Sequence, residues 1–67
     1  MKVRILAGKE EERSVEISEG ETYESLLEKL GLNPVEVIVL QDGEPVPEDE
    51  RVRKGGKIEI IRVVSSG

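Results

Sequence analysis

The stretch TYESLLEKLGLNP, residues 22–34, decides the fold, because its apolar side chains recur at helical spacing. Those side chains are Tyr23, Leu26, Leu27 and Leu30. Thr22 is suited to cap the first turn, and Gly31 is suited to end the helix in the left-handed conformation. A helix of about two to three turns is not stable alone in water. It must therefore cover a sheet with its leucine face.

Two strands are predicted before this helix. In KVRILA, residues 2–7, every second side chain is apolar, and Leu6 is the one apolar residue expected on the other side. ERSVEIS, residues 12–18, repeats the alternation, and GKEE at 8–11 reads as the turn between them. The chain therefore opens with a predicted β-hairpin.

Three further strands are predicted after the helix. Residues 35–40 are nearly all apolar, as expected for a strand covered on one face and partly on the other. Asp42-Gly43 is a strong turn signal, so residues 44–46 should return as a short strand, which Pro45 confines to an edge. KIEIIRVV, residues 57–64, is the fifth strand, which gives the order β-β-α-β-β-β.

This element order predicts an α+β protein with the β-grasp fold. One helix with a single apolar face needs one sheet face to cover, and the economical solution is a mixed sheet curled across it. In that fold the last strand runs beside the first. We expect one domain over residues 1–64 and a flexible C-terminal tail over residues 65–67.

Composition restricts the possible functions. The 67 residues include 10 basic and 15 acidic side chains and neither cysteine nor histidine. Disulfides, thiolate nucleophiles, a histidine base and the common zinc sites are therefore excluded, so we expect no enzyme, no metal and no bound cofactor. The net charge of −5 argues against nucleic-acid binding. No apolar run is long enough for a membrane span, and we expect a cytoplasmic monomer with the charge-rich composition typical of thermophiles.

The tail consists of the small residues Ser65, Ser66 and Gly67. If the last strand ends at Val63 or Val64, these residues reach roughly 10 Å beyond the body, and so thin a tail fits a narrow channel. A carboxylate becomes electrophilic only when activated, for example by adenylation. A functional tail therefore implies a partner enzyme that uses ATP, with Gly67 as the substrate. The alternative is a solvated terminus without a function.

Two stretches carry a family resemblance: LQDGEPVPEDERVRKGGKIEIIRVV, residues 40–64, and IEIIRVVSSG, residues 58–67. Through them the chain resembles the small ubiquitin-like modifiers of archaea and the ThiS- and MoaD-type sulfur carriers. The resemblance covers essentially the whole chain. It implies that a ubiquitin-activating-type enzyme adenylates Gly67, which then forms a thiocarboxylate for a sulfur-transfer enzyme or an isopeptide with a target lysine. Ser66 departs from the family's Gly-Gly ending, and its side chain either fits the activating enzyme's channel or obstructs it.

A second candidate site is an apolar patch on the sheet face opposite the helix. If Ile58 and Ile60 face the helix, alternation places the neighbouring apolar residues on the open face. The expected patch, a docking surface for a protein partner, comprises Leu6, Ile38, Leu40, Ile61 and Val63. The alternatives are that these residues only favour strand formation, or that the faces are reversed by one residue of slip. The patch also supports an alternative function, a β-grasp module that binds proteins without covalent linkage.

Overall fold

The computed structural model describes residues 1–63 and confirms an α+β fold of the β-grasp type. Its elements are β1 (Lys2–Leu6), β2 (Glu10–Ser14), α1 (Tyr23–Leu30), a 3-10 helix (Pro34–Glu36), β3 (Val37–Gln41), β4 (Glu44–Val46) and β5 (Ile58–Arg62). The strands form one sheet in the order β2-β1-β5-β3-β4. As expected, the last strand lies beside the first; the two run parallel, whereas the other pairs are antiparallel. The assignment of residues 65–67 as a tail lies outside the described residues.

Both ends of α1 are where the sequence predicts them. The Thr22 hydroxyl accepts the Ser25 N–H at 3.3 Å. At the other end, Gly31 has a φ of 73°. The Gly31 N–H donates to the Glu28 carbonyl, and the Leu32 N–H donates to the Leu27 carbonyl. These two hydrogen bonds form the Schellman motif, which satisfies carbonyls that the helix leaves open.

The core lies between α1 and the face of the sheet that it covers. Its fully buried members from the helix are Tyr23, Leu26 and Leu27. The sheet contributes Val3, Ile5, Val39, Ile58 and Ile60. Each such aliphatic side chain stabilises the fold by about 1.5 to 3 kcal/mol relative to exposure. The expectation that Ile58 and Ile60 face the helix is confirmed. No helix in residues 1–63 has both the length and the apolar character needed to cross a bilayer.

The prediction for the second strand was wrong in its position. The strand covers Glu10–Ser14 instead of residues 12–18, and its side chains are all exposed. The turn is tighter than predicted, since the Ala7 N–H bonds the Lys9 carbonyl and Leu6 already pairs with Glu10. Val15 and Ile17 follow the strand and are half-buried against the core. Val15 still exchanges two backbone hydrogen bonds with Met1, next to the Lys2–Ser14 pair, so the pairing ends there and not at Ser18.

The third strand begins two residues later than predicted. Pro34 and Asn33 start a 3-10 helix, in which the Asn33 side chain accepts the Val35 N–H at 3.0 Å. A capping Asn followed by Pro favours a helical turn, which delays the strand to Val37. The later hairpin is as predicted: Asp42 and Gly43 both have positive φ, as a type I′ turn requires, and β4 is a short edge strand.

Candidate functional site

The chain leaves the sheet from its central strand. β5 pairs with β1 on one side and with β3 on the other, so it ends where β1 ends and β3 begins. The Val63 N–H donates to the Glu36 carbonyl at 2.8 Å, which extends the pairing one residue beyond Arg62. The Arg62 and Glu36 side chains lie 3.7 Å apart and are both half-exposed, so this ion pair adds little stability. Backbone pairing therefore fixes the chain as far as Val63.

The predicted activation residues Ser65, Ser66 and Gly67 lie outside the described residues. Their role remains a prediction. The structure places their attachment point, because only Val64 separates Val63 from this segment.

The predicted patch residues lie on the open face, which is the face of the sheet turned away from α1. Leu6, Ile61 and Ile38 are direct cross-strand neighbours in one row across β1, β5 and β3. Leu40 lies two residues along β3 from Ile38, and Val63 follows the end of β5. The structure thus brings these five side chains to one region. Their role in docking a partner is not tested by this placement and stays a prediction.

Beyond the apolar row, the open face is charged. Arg4 pairs in register with Glu59 and lies between carboxylates: its guanidinium hydrogen-bonds Glu10 and lies 3.9 Å from the Glu59 carboxylate. Lys2 extends this half with a 3.7 Å contact to Glu12. The open face therefore has an apolar row near the chain exit and an ion-pair network farther from it.

Comparison with known proteins agrees with this geometry. Residues 1–64 match the family model described as small archaeal modifier protein 2. The chain belongs to this family. It is 36% identical to the small archaeal modifier protein 2 of Haloferax volcanii over 67 residues, which is 100% of both chains. The sequence resemblance to archaeal modifiers is thereby confirmed.

Two further relatives are similar to this chain over nearly their whole length. A protein of Archaeoglobus fulgidus with no assigned role is 39% identical over 100% of this chain and 97% of its own. The sulfur carrier protein TtuB of Thermus thermophilus is 28% identical over 97% of this chain and 100% of its own. The relatives thus include one named as a modifier and one named as a sulfur carrier.

A buried polar network between the helix and the sheet was not predicted from the sequence. The Tyr23 hydroxyl donates to Gln41 Oε1 at 2.7 Å, and both residues are almost fully buried. Gln41 Nε2 donates to the Gly55 carbonyl at 3.3 Å, and the Arg53 N–H reaches the Tyr23 oxygen at 3.4 Å. The network ties the loop that leads into β5 to the core. The available signal was the position of Gln41, two residues after Val39 on the buried face.

A second missed feature is an ionic contact at the outer side of α1. Lys29 Nζ lies 2.8 and 2.9 Å from the two carboxylate oxygens of Glu21 and donates to the Glu16 carbonyl at 2.8 Å. The hydrogen bond from Lys29, aided by one from the Ser18 N–H, lowers the pKa of Glu21 below its ordinary value. These contacts hold the segment before the helix against its last turn.

Proposed function

We propose that this protein is a ubiquitin-like modifier or sulfur carrier whose Gly67 carboxylate is adenylated by a ubiquitin-activating-type enzyme. The observation that carries the proposal is the family match over residues 1–64, in a fold whose central strand carries the chain out at Val63. The Haloferax relative is named as a modifier and the Thermus relative as a sulfur carrier, which supports both forms of the proposal. Gly67 lies four residues beyond Val63.

The proposed chemistry uses this chain as a substrate. The Gly67 carboxylate attacks the α-phosphorus of ATP, pyrophosphate leaves, and an acyl adenylate forms on the partner enzyme. Hydrosulfide delivered by a sulfur-transfer enzyme then attacks the acyl carbon and displaces AMP to give a thiocarboxylate. Alternatively, a lysine amine of a target protein attacks the same carbon, displaces AMP, loses a proton and forms an isopeptide. ATP is the co-substrate of the partner, and we place both reactions in the cytoplasm.

The body of the domain serves to present the tail. Pairing of β5 with strands on both sides, extended by the Val63–Glu36 hydrogen bond, fixes the chain up to Val63. We infer that the activating enzyme docks on the apolar row of Leu6, Ile61 and Ile38, in which Ile38 is exposed and the other two side chains are half-buried. Apolar side chains that reach the surface side by side mark interaction sites. Ile61 is central in that row.

Intact mass spectrometry tests the proposal. The protein is incubated with ATP and the activating-type enzyme of its source organism, and the modified residue is localised by fragmentation. We expect an adenylate, or replacement of an oxygen by sulfur, at Gly67 in the wild type and in Ser66→Gly, and neither when Gly67 is deleted. Normal activation of the deletion variant would refute the proposal. So would an unmodified wild type, when the same enzyme activates a Gly-Gly carrier.

The apolar row also favours a second candidate, a module that binds proteins without covalent linkage. Two variants separate the candidates. Ile61→Asp places a charge in the middle of the row and should abolish both functions. Deletion of Ser66 and Gly67 should abolish activation but leave non-covalent binding intact.

A further inference from the structure

The exposed apolar side chains of the domain are concentrated at the chain exit. Within residues 1–63, four large apolar residues are exposed, with the following exposed fractions: Met1 37%, Val35 86%, Ile38 43% and Val63 44%. The last three form what we call the exit cluster. Glu36, which follows Val35, accepts the Val63 N–H, and Ile38 pairs with Ile61 on β5. The cluster therefore borders the point where the chain leaves the sheet.

The fold gives no reason for valine at position 35. The 3-10 helix is held by Pro34 and by hydrogen bonds from the Val35 and Glu36 backbone to Asn33. None of these contacts uses the Val35 side chain. Because that side chain is almost wholly exposed, it adds little hydrophobic stabilisation to the domain. A single exposed valine is ordinary, whereas three exposed apolar residues around one exit form a patch.

The length of the tail defines what must approach this patch. Four residues separate Val63 from the Gly67 carboxylate, and at 3.3 to 3.6 Å per residue they span at most about 14 Å. An enzyme that holds the Gly67 carboxylate against ATP must therefore bring the entrance of its active site close to Val63. The surface around that entrance then meets the residues that border the exit.

We propose that the exit cluster, with Val35 as its most exposed member, packs against an apolar rim around the entrance of the carboxylate-adenylating enzyme's active site. The identity of this occupant rests on the proposed function. A second copy of the chain is the less favoured occupant, because a copy that covered the cluster would also obstruct the exit of the tail. Val35 lies on a 3-10 helix outside the predicted patch, so it extends that docking surface along the edge of the sheet.

Charge substitutions at Val35 test the inference. Val35→Asp and Val35→Lys both remove the apolar contact but change the charge in opposite directions. Ser14→Asp is the matched control, because Ser14 is exposed on β2 at the end of the sheet opposite the exit. The probe is the purified adenylating enzyme of the source organism. Calorimetry without ATP gives the Kd, and ATP–pyrophosphate exchange gives KM and kcat.

We expect both Val35 variants to raise Kd and KM about tenfold, a typical loss for an apolar anchor at an interface, with kcat unchanged. Ser14→Asp should match the wild type. Thermal melting should be unchanged for the Val35 variants, since the substituted side chain is exposed.

Each other outcome is decisive. If the wild type is adenylated and the Val35 variants bind and react normally, the inference fails and the proposed function stands. If the wild type binds but is not adenylated, the proposed function fails, and the Kd values alone decide the inference. Weakening by only one sign of charge would refute an apolar contact. If the enzyme activates a Gly-Gly carrier but neither binds nor adenylates the wild type, both proposals fail.

Discussion

The Tyr23–Gln41 hydrogen bond offers a sharp test of how this small domain is held together. Tyr23→Phe keeps the ring in the core but removes the hydroxyl. Gln41 Oε1 then loses its 2.7 Å donor, and the Arg53 N–H loses its acceptor. Leaving a buried polar atom without a partner costs about 1 to 3 kcal/mol.

That cost is large for a chain of this size. At about 0.05 to 0.15 kcal/mol per residue, a 67-residue domain has a total stability of roughly 3 to 10 kcal/mol. For domains of this length, 1 kcal/mol corresponds to a Tm shift of about 4 to 8 °C. Tyr23→Phe should therefore lower the Tm by at least about 4 °C.

The assay is guanidinium and thermal unfolding followed by far-UV circular dichroism. This signal is preferable to tyrosine fluorescence, because Tyr23 is the only aromatic residue. Gln41→Met and the double variant complete a mutant cycle. The two single variants leave four unpaired groups between them, whereas the double variant leaves only the Arg53 N–H and the Gly55 carbonyl unpaired. The double variant should therefore lose less stability than the two single losses combined. A coupling energy of at least about 0.5 kcal/mol is expected. Additive losses, or a Tyr23→Phe variant as stable as the wild type, would refute the hydrogen bond's role.

Two further predictions concern the loop before β5 and the contact beside α1. A Cβ at Gly56 would lie 2.6 Å from Asp42 Oδ1, whereas one at Gly55 meets nothing within 4 Å, and both residues have positive φ. Gly56→Ala should therefore lower the Tm more than Gly55→Ala, and equal losses would contradict this account of the loop. For Glu21, a lowered folded pKa means that the carboxylate stabilises the fold above its unfolded pKa and loses this effect as the pH falls through the folded value. The Tm of the wild type should thus exceed that of Glu21→Gln at neutral pH, and this difference should disappear as the pH falls below 4.5, the ordinary pKa of a glutamate. A Tm difference that persisted in acid would exclude this mechanism.

Local sequence signals were sufficient to predict the ends of α1 and the turn between β3 and β4. Thr22 and Gly31 mark the ends of α1 through hydrogen bonds within a few residues, and Asp42-Gly43 needs only its own backbone geometry. The boundaries of β2 depended on a contact that alternation does not encode. Val15 and Ile17 alternate because they pack at the edge of the core, and the same pattern is typical of a strand.

The candidate site was predictable where it followed from alternation along a strand. Once Ile58 and Ile60 are assigned to the core, Ile61 must lie on the open face, and its partners Leu6 and Ile38 follow from strand order. The exposure of Val35 was not predictable in this way, because the 3-10 helix interrupts the alternation.

On the proposed function, the body of the domain must contribute most to recognition by the activating enzyme, because the tail residues are small. Ser65, Ser66 and Gly67 have almost no side-chain surface, so an enzyme that contacted only these residues would scarcely distinguish this chain from another with a similar ending. Discrimination therefore requires contacts beyond the tail, and a tether of at most about 14 Å places those contacts around the exit. The exit cluster and the apolar row lie within this region, whereas the ion-pair network around Arg4 lies farther away. On the proposed function, partner specificity therefore depends on apolar residues around the exit, and substitution of the most exposed one, Val35, should cost the fold little stability.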